Sequence, residues 1–226
     1  MGDRGLIWVT VPSPILVVCR LFDPTEFLVY VRTESALIHQ LLEVVAERIE
    51  TNLRILLNTG VGPVVRFGGA EHATPPMMSP ADFDAMVVRY DRPLVELVKK
   101  HGHHVAYHCH GQLRHALTRF VEIGVDQTDP VEQIPDGDLT LHEAREITQG
   151  RVTLTGNLQM REMAACRPEE IRDRVKQILS EAGPDRLIVT TTGTPIEPIS
   201  STLAENYHAM ISATLEWGTK ETNEKP

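Results

Sequence analysis

The chain has 226 residues, 22 Lys and Arg against 31 Asp and Glu, a formal net charge of −9 and a hydrophobic share of 42%. That length admits one sizeable core, and the acidic balance argues against a nucleic-acid binder or a ligand of anionic membranes. No apolar run approaches the roughly 20 residues of a bilayer span.

Met1-Gly2-Asp3-Arg4 does not read as the start of a signal peptide. The three cysteines, Cys19, Cys109 and Cys166, form no CxxC pair. Together these features predict a reducing, cytoplasmic setting without disulfides.

In chain order, "PILVVCRL" (14–21) reads as a buried strand. A long helix is predicted from Ser35 to Thr59, with Leu37, Leu41, Val45, Ile49, Leu53 and Leu56 in steps of three and four. "PVVRFGG" (63–69) is the next strand. Ser79, Pro80 and Asp82 then form a capping-box-like start to a helix reaching Lys99 or Lys100, with Gly102 as its stop. The unit recurs: "HVAYHCH" leads to a helix near 112–123, and "VDQTDP" to one near 139–149. "RVTLTGN" leads to a helix opened by Pro168-Glu169-Glu170, and "RLIVTTTG" to one near 202–217.

Six βα units in series require parallel strands with helical crossovers. No GxGxxG or GxxxxGK[ST] follows a strand, so the nucleotide-binding open sheets lose their signature. Polar residues gather instead at the ends of several strands, which suits a barrel site. The predicted fold is α/β, a (β/α)8 TIM-barrel-like domain with six visible units. It is read as a single domain over 1–226, with a core from about 14 to 217 and a polar, frayed tail over 218–226.

Six of the ten histidines fall between His101 and His115. Strand alternation places Val105, Tyr107 and Cys109 on one face and Ala106, His108 and His110 on the other. His108 and His110 then point into the mouth, and Gly111 lets the chain turn beside them. Glu132, beyond the next strand, is the expected third ligand of a zinc-type His, His, Glu site. Two other readings stay open: the pair contacts an anion or substrate directly, or it is a hydrogen-bonded structural cluster. His101, His103 and His104 are expected at a solvated helix end.

Around this mouth, Glu71 is a candidate general base or extra ligand, and Asn157 a substrate-contacting amide. Arg66 and His72 are candidate lining residues. Asp126 and Asp129 are candidate partners orienting the histidines. Cys109 is expected to be a small core residue.

The segments "MSPADF", "YHCHGQL", "IGVDQTDPVE", "GDLTLHEAREI", "VTLTGNLQ", "RPEEI" and "ENYHAM", in that order, resemble the uroporphyrinogen decarboxylase superfamily. The resemblance implies a (β/α)8 barrel and one of two chemistries. One is cofactor-free decarboxylation of porphyrinogens. The other is zinc-dependent methyl transfer, as in corrinoid-linked methyltransferases and cobalamin-independent methionine synthases.

In the methyltransferase branch, His108 falls on a histidine ligand position and His110 on a cysteine position, with Glu132 similar in placement to a glutamate near zinc. A corrinoid protein is then an implied methyl donor or acceptor. The chain departs from that branch near its last strand, where "IVTTTGTPIEP" offers threonines and Glu197 but no cysteine. It also departs from the decarboxylases: the resemblance aligns its first strand-like segment with the family's third, and the first two units are expected to be missing. A methyltransferase-like enzyme with a small-molecule substrate is the leading expectation, and a decarboxylase the alternative. A third reading is a non-catalytic barrel remnant that binds a ligand or partner. A homo-oligomer would complete or cover the open barrel.

Overall fold

The computed structural model describes residues 5–60, 62–196 and 198–218. Glu197 and the tail over 219–226 lie outside the described residues. The chain divides into two compact units, Met1–Thr128 and Asp129–Pro226.

In the first unit, β1 (Trp8–Pro12), β2 (Val64–Gly68) and β3 (His104–His108) pair in parallel. The register aligns Trp8 with Val64 and His104, and Pro12 with Gly68 and His108. One sheet face therefore carries Val11, Phe67, Val105 and Tyr107, all buried. The other carries Thr10, Arg66, Ala106 and His108.

The helices of this unit are α1 (Pro14–Cys19), α2 (Pro24–Thr33), α3 (Ser35–Asn58), α4 (Pro80–Phe83), α5 (Arg89–Lys100) and α6 (Arg114–Ile123). A π-turn over Asp84–Val88 joins α4 to α5, and a short 3-10 turn over Ala70–Ala73 follows β2. Tyr107 stacks between Phe67 and Phe120, with ring centroids 6.0 and 4.2 Å away. Such pairs add about 0.5–1.5 kcal/mol each beyond simple burial.

The segment 14–21 corrects the sequence expectation. It is not a strand: Pro14 opens α1, and Ile15 and Val18, three apart, are fully buried. A short run rich in β-branched residues does not by itself distinguish a buried helix from a strand, and here proline at the first helical position decides it. The true first strand is β1, just upstream. Along α3 the buried stripe is Ile38, Leu42, Ile49, Leu53 and Leu57, while Leu37 is exposed. The helix is where the sequence placed it, but it is rotated by about one residue at its start.

Capping follows the sequence closely. Ser79 and Asp82 form a reciprocal capping box, and Gly124 closes α6 in the left-handed conformation.

The second unit holds α7 (Leu141–Thr148), β5 (Thr153–Leu158), α8 (Met160–Ala165), α9 (Pro168–Ala182), β6 (Leu187–Thr191) and α10 (Ser201–Trp217). β5 and β6 are parallel, with Asn157 opposite Thr190. The short strand β4 (Gln127–Asp129) spans the point where the units divide. The chain thus alternates strand and helix through six parallel-type units, the order of a (β/α)8 barrel with six of its eight repeats. Among the described residues no helix is long and apolar enough to cross a membrane.

Candidate functional site

β3 delivers its histidines as the alternation requires. Tyr107 and Cys109 are fully buried on the helix-facing side, and His108 and His110 are half-buried. The two imidazoles meet edge to face, with centroids 4.7 Å apart and planes at 86°. Gly68 is the register partner of His108, and a Cβ there would lie 3.5 Å from the His108 Cβ. Glycine at that position keeps the space beside the ring open. Gly111 turns the chain after His110 at φ 88°, close against Thr74. The Thr74 hydroxyl donates to the Glu71 carbonyl at 2.9 Å and lies 3.5 Å from the His110 carbonyl. The loop after β2 and the exit of β3 are therefore one packed rim.

Arg66 is half-buried on the same sheet face as His108, with its guanidinium 5.7 Å over the Trp8 ring. Glu71 is on this rim, and among the described residues its buried Oε2 has no hydrogen-bond partner. His72, next to it, lines a separate cavity with Cys19, Phe22 and Met77.

Asp126 corrects its expected role. It binds Lys99 at 2.6 and 2.7 Å and accepts from the Val105 backbone N–H at 2.8 Å, at the opposite end of β3 from His108. It holds the start of the strand and orients no imidazole of the pair. Of the three histidines expected at a solvated helix end, His101 and His104 are exposed and His103 is half-buried, and His104 opens β3 instead.

In the second unit, Glu132 is half-buried on the loop after β4, and Asp129 is half-buried at the end of β4. A Cβ on Gly137 would lie 2.2 Å from the Glu132 carbonyl oxygen, so the turn carrying Glu132 closes only over glycine. Asn157 is buried at the end of β5, and its Oδ1 accepts from Arg174 of α9 at 3.3 Å. Arg174 also donates to Gln133 and lies 3.7 Å from Glu162, and Gln133 donates to Glu162 at 2.9 Å. This Asn157–Arg174–Gln133–Glu162 network was not foreseen. Its signal was an arginine beside the apolar stripe Ile171, Val175 and Ile178 of α9.

A second unforeseen group lies in the first unit. Asp91 of α5 is fully buried and accepts from Ser13 Oγ at 2.9 Å and from the Tyr107 hydroxyl. Burial pushes its carboxyl up to about 7, against the pull of the Tyr107 and Ser13 hydrogen bonds. The sequence signal was an aspartate inside the apolar stripe formed by Val87, Val88, Leu94 and Val95.

Among the described residues no three His, Cys, Asp or Glu side chains form a group that could hold a metal ion. Of the expected set, His108 and His110 belong to the first unit and Glu132 to the second. What the first unit brings together is the imidazole pair, which offers two of the three protein ligands that a catalytic zinc site uses.

A model of the uroporphyrinogen decarboxylase (URO-D) family matches residues 1–217. The chain belongs to the uroporphyrinogen decarboxylase family. No curated protein matches it in sequence. Among solved structures, this family member is similar to a methyltransferase from Methanosarcina mazei, with TM-score 0.74 and 19% identity over 97% of this chain. It is also similar to a B12-independent methionine synthase from Shewanella sp. W3-18-1, solved with selenomethionine, with TM-score 0.54 and 13% identity over 93% of this chain. The chain spans 61% of the length of each. At these identities the likeness shows a shared α/β-barrel-type fold for the URO-D chain.

Proposed function

We propose that this chain is a methyltransferase-like member of its family, with His108 and His110 as the groups that receive the methyl acceptor. The observation that carries this reading is the edge-to-face imidazole pair, half-buried on a rim kept open by Gly68 and Gly111. The fold-level likeness to a methyltransferase and a methionine synthase supports it.

The chemistry available to the pair is that of a base and an orienting donor. An acceptor heteroatom bound there gives its proton to one imidazole while its lone pair attacks the methyl carbon. The bond from that carbon to the donor breaks, and its electron pair leaves with the donor. A thiol gives up its proton far more readily than an alcohol does. A thiol, or a heteroatom of similar acidity, is therefore the acceptor that suits the pair. The proposed donor is a methyl-corrinoid, free or carried by a protein.

The test uses methylcobalamin as donor and small alkyl thiols as acceptors, with demethylation followed by absorbance. His108→Ala and His110→Ala should each lower turnover about 10²–10⁴-fold, the range for a positioned general base. Wild-type protein that turns over at the same rate as both variants would defeat the proposal. Metal analysis of the same preparations addresses zinc. One zinc per chain, lost in both His108→Ala and Glu132→Gln, brings Glu132 into the site, whereas active zinc-free protein leaves the imidazoles acting alone.

A further inference from the structure

A cavity of about 540 Å³ opens on the first unit, clear of the imidazole pair. Its apolar lining comes from Phe22 between α1 and α2, Pro24, Phe27 and Leu28 of α2, and Met77 of the loop after β2. Phe27 is buried, and Phe22 braces it with ring centroids 6.2 Å apart. Tyr30 meets the Phe22 ring edge-on at 5.5 Å. The aromatic wall is thus packed from behind and preformed. The volume falls within the range typical of small-molecule sites.

The polar lining is of one kind. Arg20 and His72 both reach the cavity, and among the described residues neither side chain has a hydrogen-bonding or ion-pair partner. Cys19, the remaining lining residue, donates its thiol to the Leu16 carbonyl at 3.2 Å. Burial pushes that thiol up to about 11, so it is a neutral part of the wall and no nucleophile at physiological pH. The nearby acidic group, Glu71, acts on Cys19 through its charge but does not line the cavity. An apolar, aromatic chamber with an unpaired guanidinium and an imidazole is complementary to a molecule with a hydrophobic body and one anionic head.

We propose that this cavity binds an amphipathic carboxylic acid, its hydrophobic body against Phe22, Phe27, Leu28 and Met77 and its carboxylate at Arg20 and His72. The site is distinct from the imidazole pair, and the inference does not depend on methyl transfer. The two are nonetheless joined by one short loop: His72 and Thr74 are two residues apart, and Thr74 packs on the turn that carries His110. Occupancy of the cavity would hold that loop in place.

The test is calorimetric titration of the full chain with 4-phenylbutyrate and with its neutral counterpart 4-phenylbutan-1-ol. The acid should bind one per chain and at least about tenfold more tightly than the alcohol, the lower end for a hydrogen bond to a charged group. Arg20→Gln, at an exposed position that should leave the thermal midpoint unchanged, should remove that preference while altering alcohol binding less than about twofold. Leu28→Trp should block both ligands by filling the chamber. The proposal is overturned by equal affinity for acid and alcohol, by a preference that survives Arg20→Gln, or by no acid binding up to about 10 mM. Because the readout is binding alone, its failure leaves the methyl-transfer assay unaffected, and the reverse also holds.

Discussion

Asp91 places a titratable group where no water reaches it. Its carboxyl is raised to about 7 by burial, from an unfolded value near 3.9. The folded chain therefore holds this proton more tightly than the unfolded chain does. Its contribution to stability is complete below about pH 4 and is lost as pH rises through about 7. A shift of this size corresponds to roughly 4 kcal/mol.

Asp82 and Asp84 act in the other direction. Burial opposes their ionisation, but hydrogen bonds from Arg32 and Ser79, and from Arg119 and His115, hold both carboxyls low. Their stabilising effect fades only in more acidic solution. Urea unfolding of the wild type between pH 5 and 8 should show falling stability, and Asp91→Asn should flatten that slope. An unchanged slope in the variant would remove Asp91 as its source. Tyr107→Phe, which takes one donor from the carboxylate, should cost about 1–3 kcal/mol in the same assay.

At this scale the sequence was partly legible. Alternation alone placed Tyr107 and Cys109 in the core and the two histidines opposite. Asp126 was misplaced because a polar residue near a strand can serve the strand's start as readily as its open end. Pairing with Lys99 decided that case, and such long-range partners, like Arg174 beside Asn157, have no local signature.

Among the elements, α1 lies close against the turn that follows β2. Gly69 has φ 108°, and a Cβ there would lie 2.3 Å from the Leu16 Cβ. Gly69→Ala must both adopt an unfavourable backbone conformation and push α1 away. A loss of at least about 2 kcal/mol is expected, lowering the thermal midpoint of a domain this size by about 4–8 °C. A midpoint within a degree of wild type would show that α1 is not held there. The same junction explains why 14–21 was read as a strand. A run of Ile, Leu and Val has strand chemistry, and only Pro14 and the closeness of α1 to Gly69 make it helical. By contrast, the long helix, the Ser79 capping box and the glycine stops were legible, because caps and periodicity are local properties.

For the whole molecule, the order of strands and helices and the family were open to sequence reading, while the assembly of ligands was not. Six βα units matched to 61% of the length of a methyltransferase fix the kind of fold. A three-ligand set drawn from two strand ends depends on backbone placement finer than any spacing rule. What the first unit shows of the expected site is the imidazole pair.

The central claim is that the two imidazoles act as one unit on a bound acceptor. A double-mutant cycle in methylcobalamin demethylation, with His108→Ala and His110→Ala made singly and together, tests it most directly. Groups acting as a unit lose nearly the same rate singly as together. The double variant should therefore fall no more than about tenfold below the weaker single variant. Losses that simply multiply would show two independent residues and contradict the account.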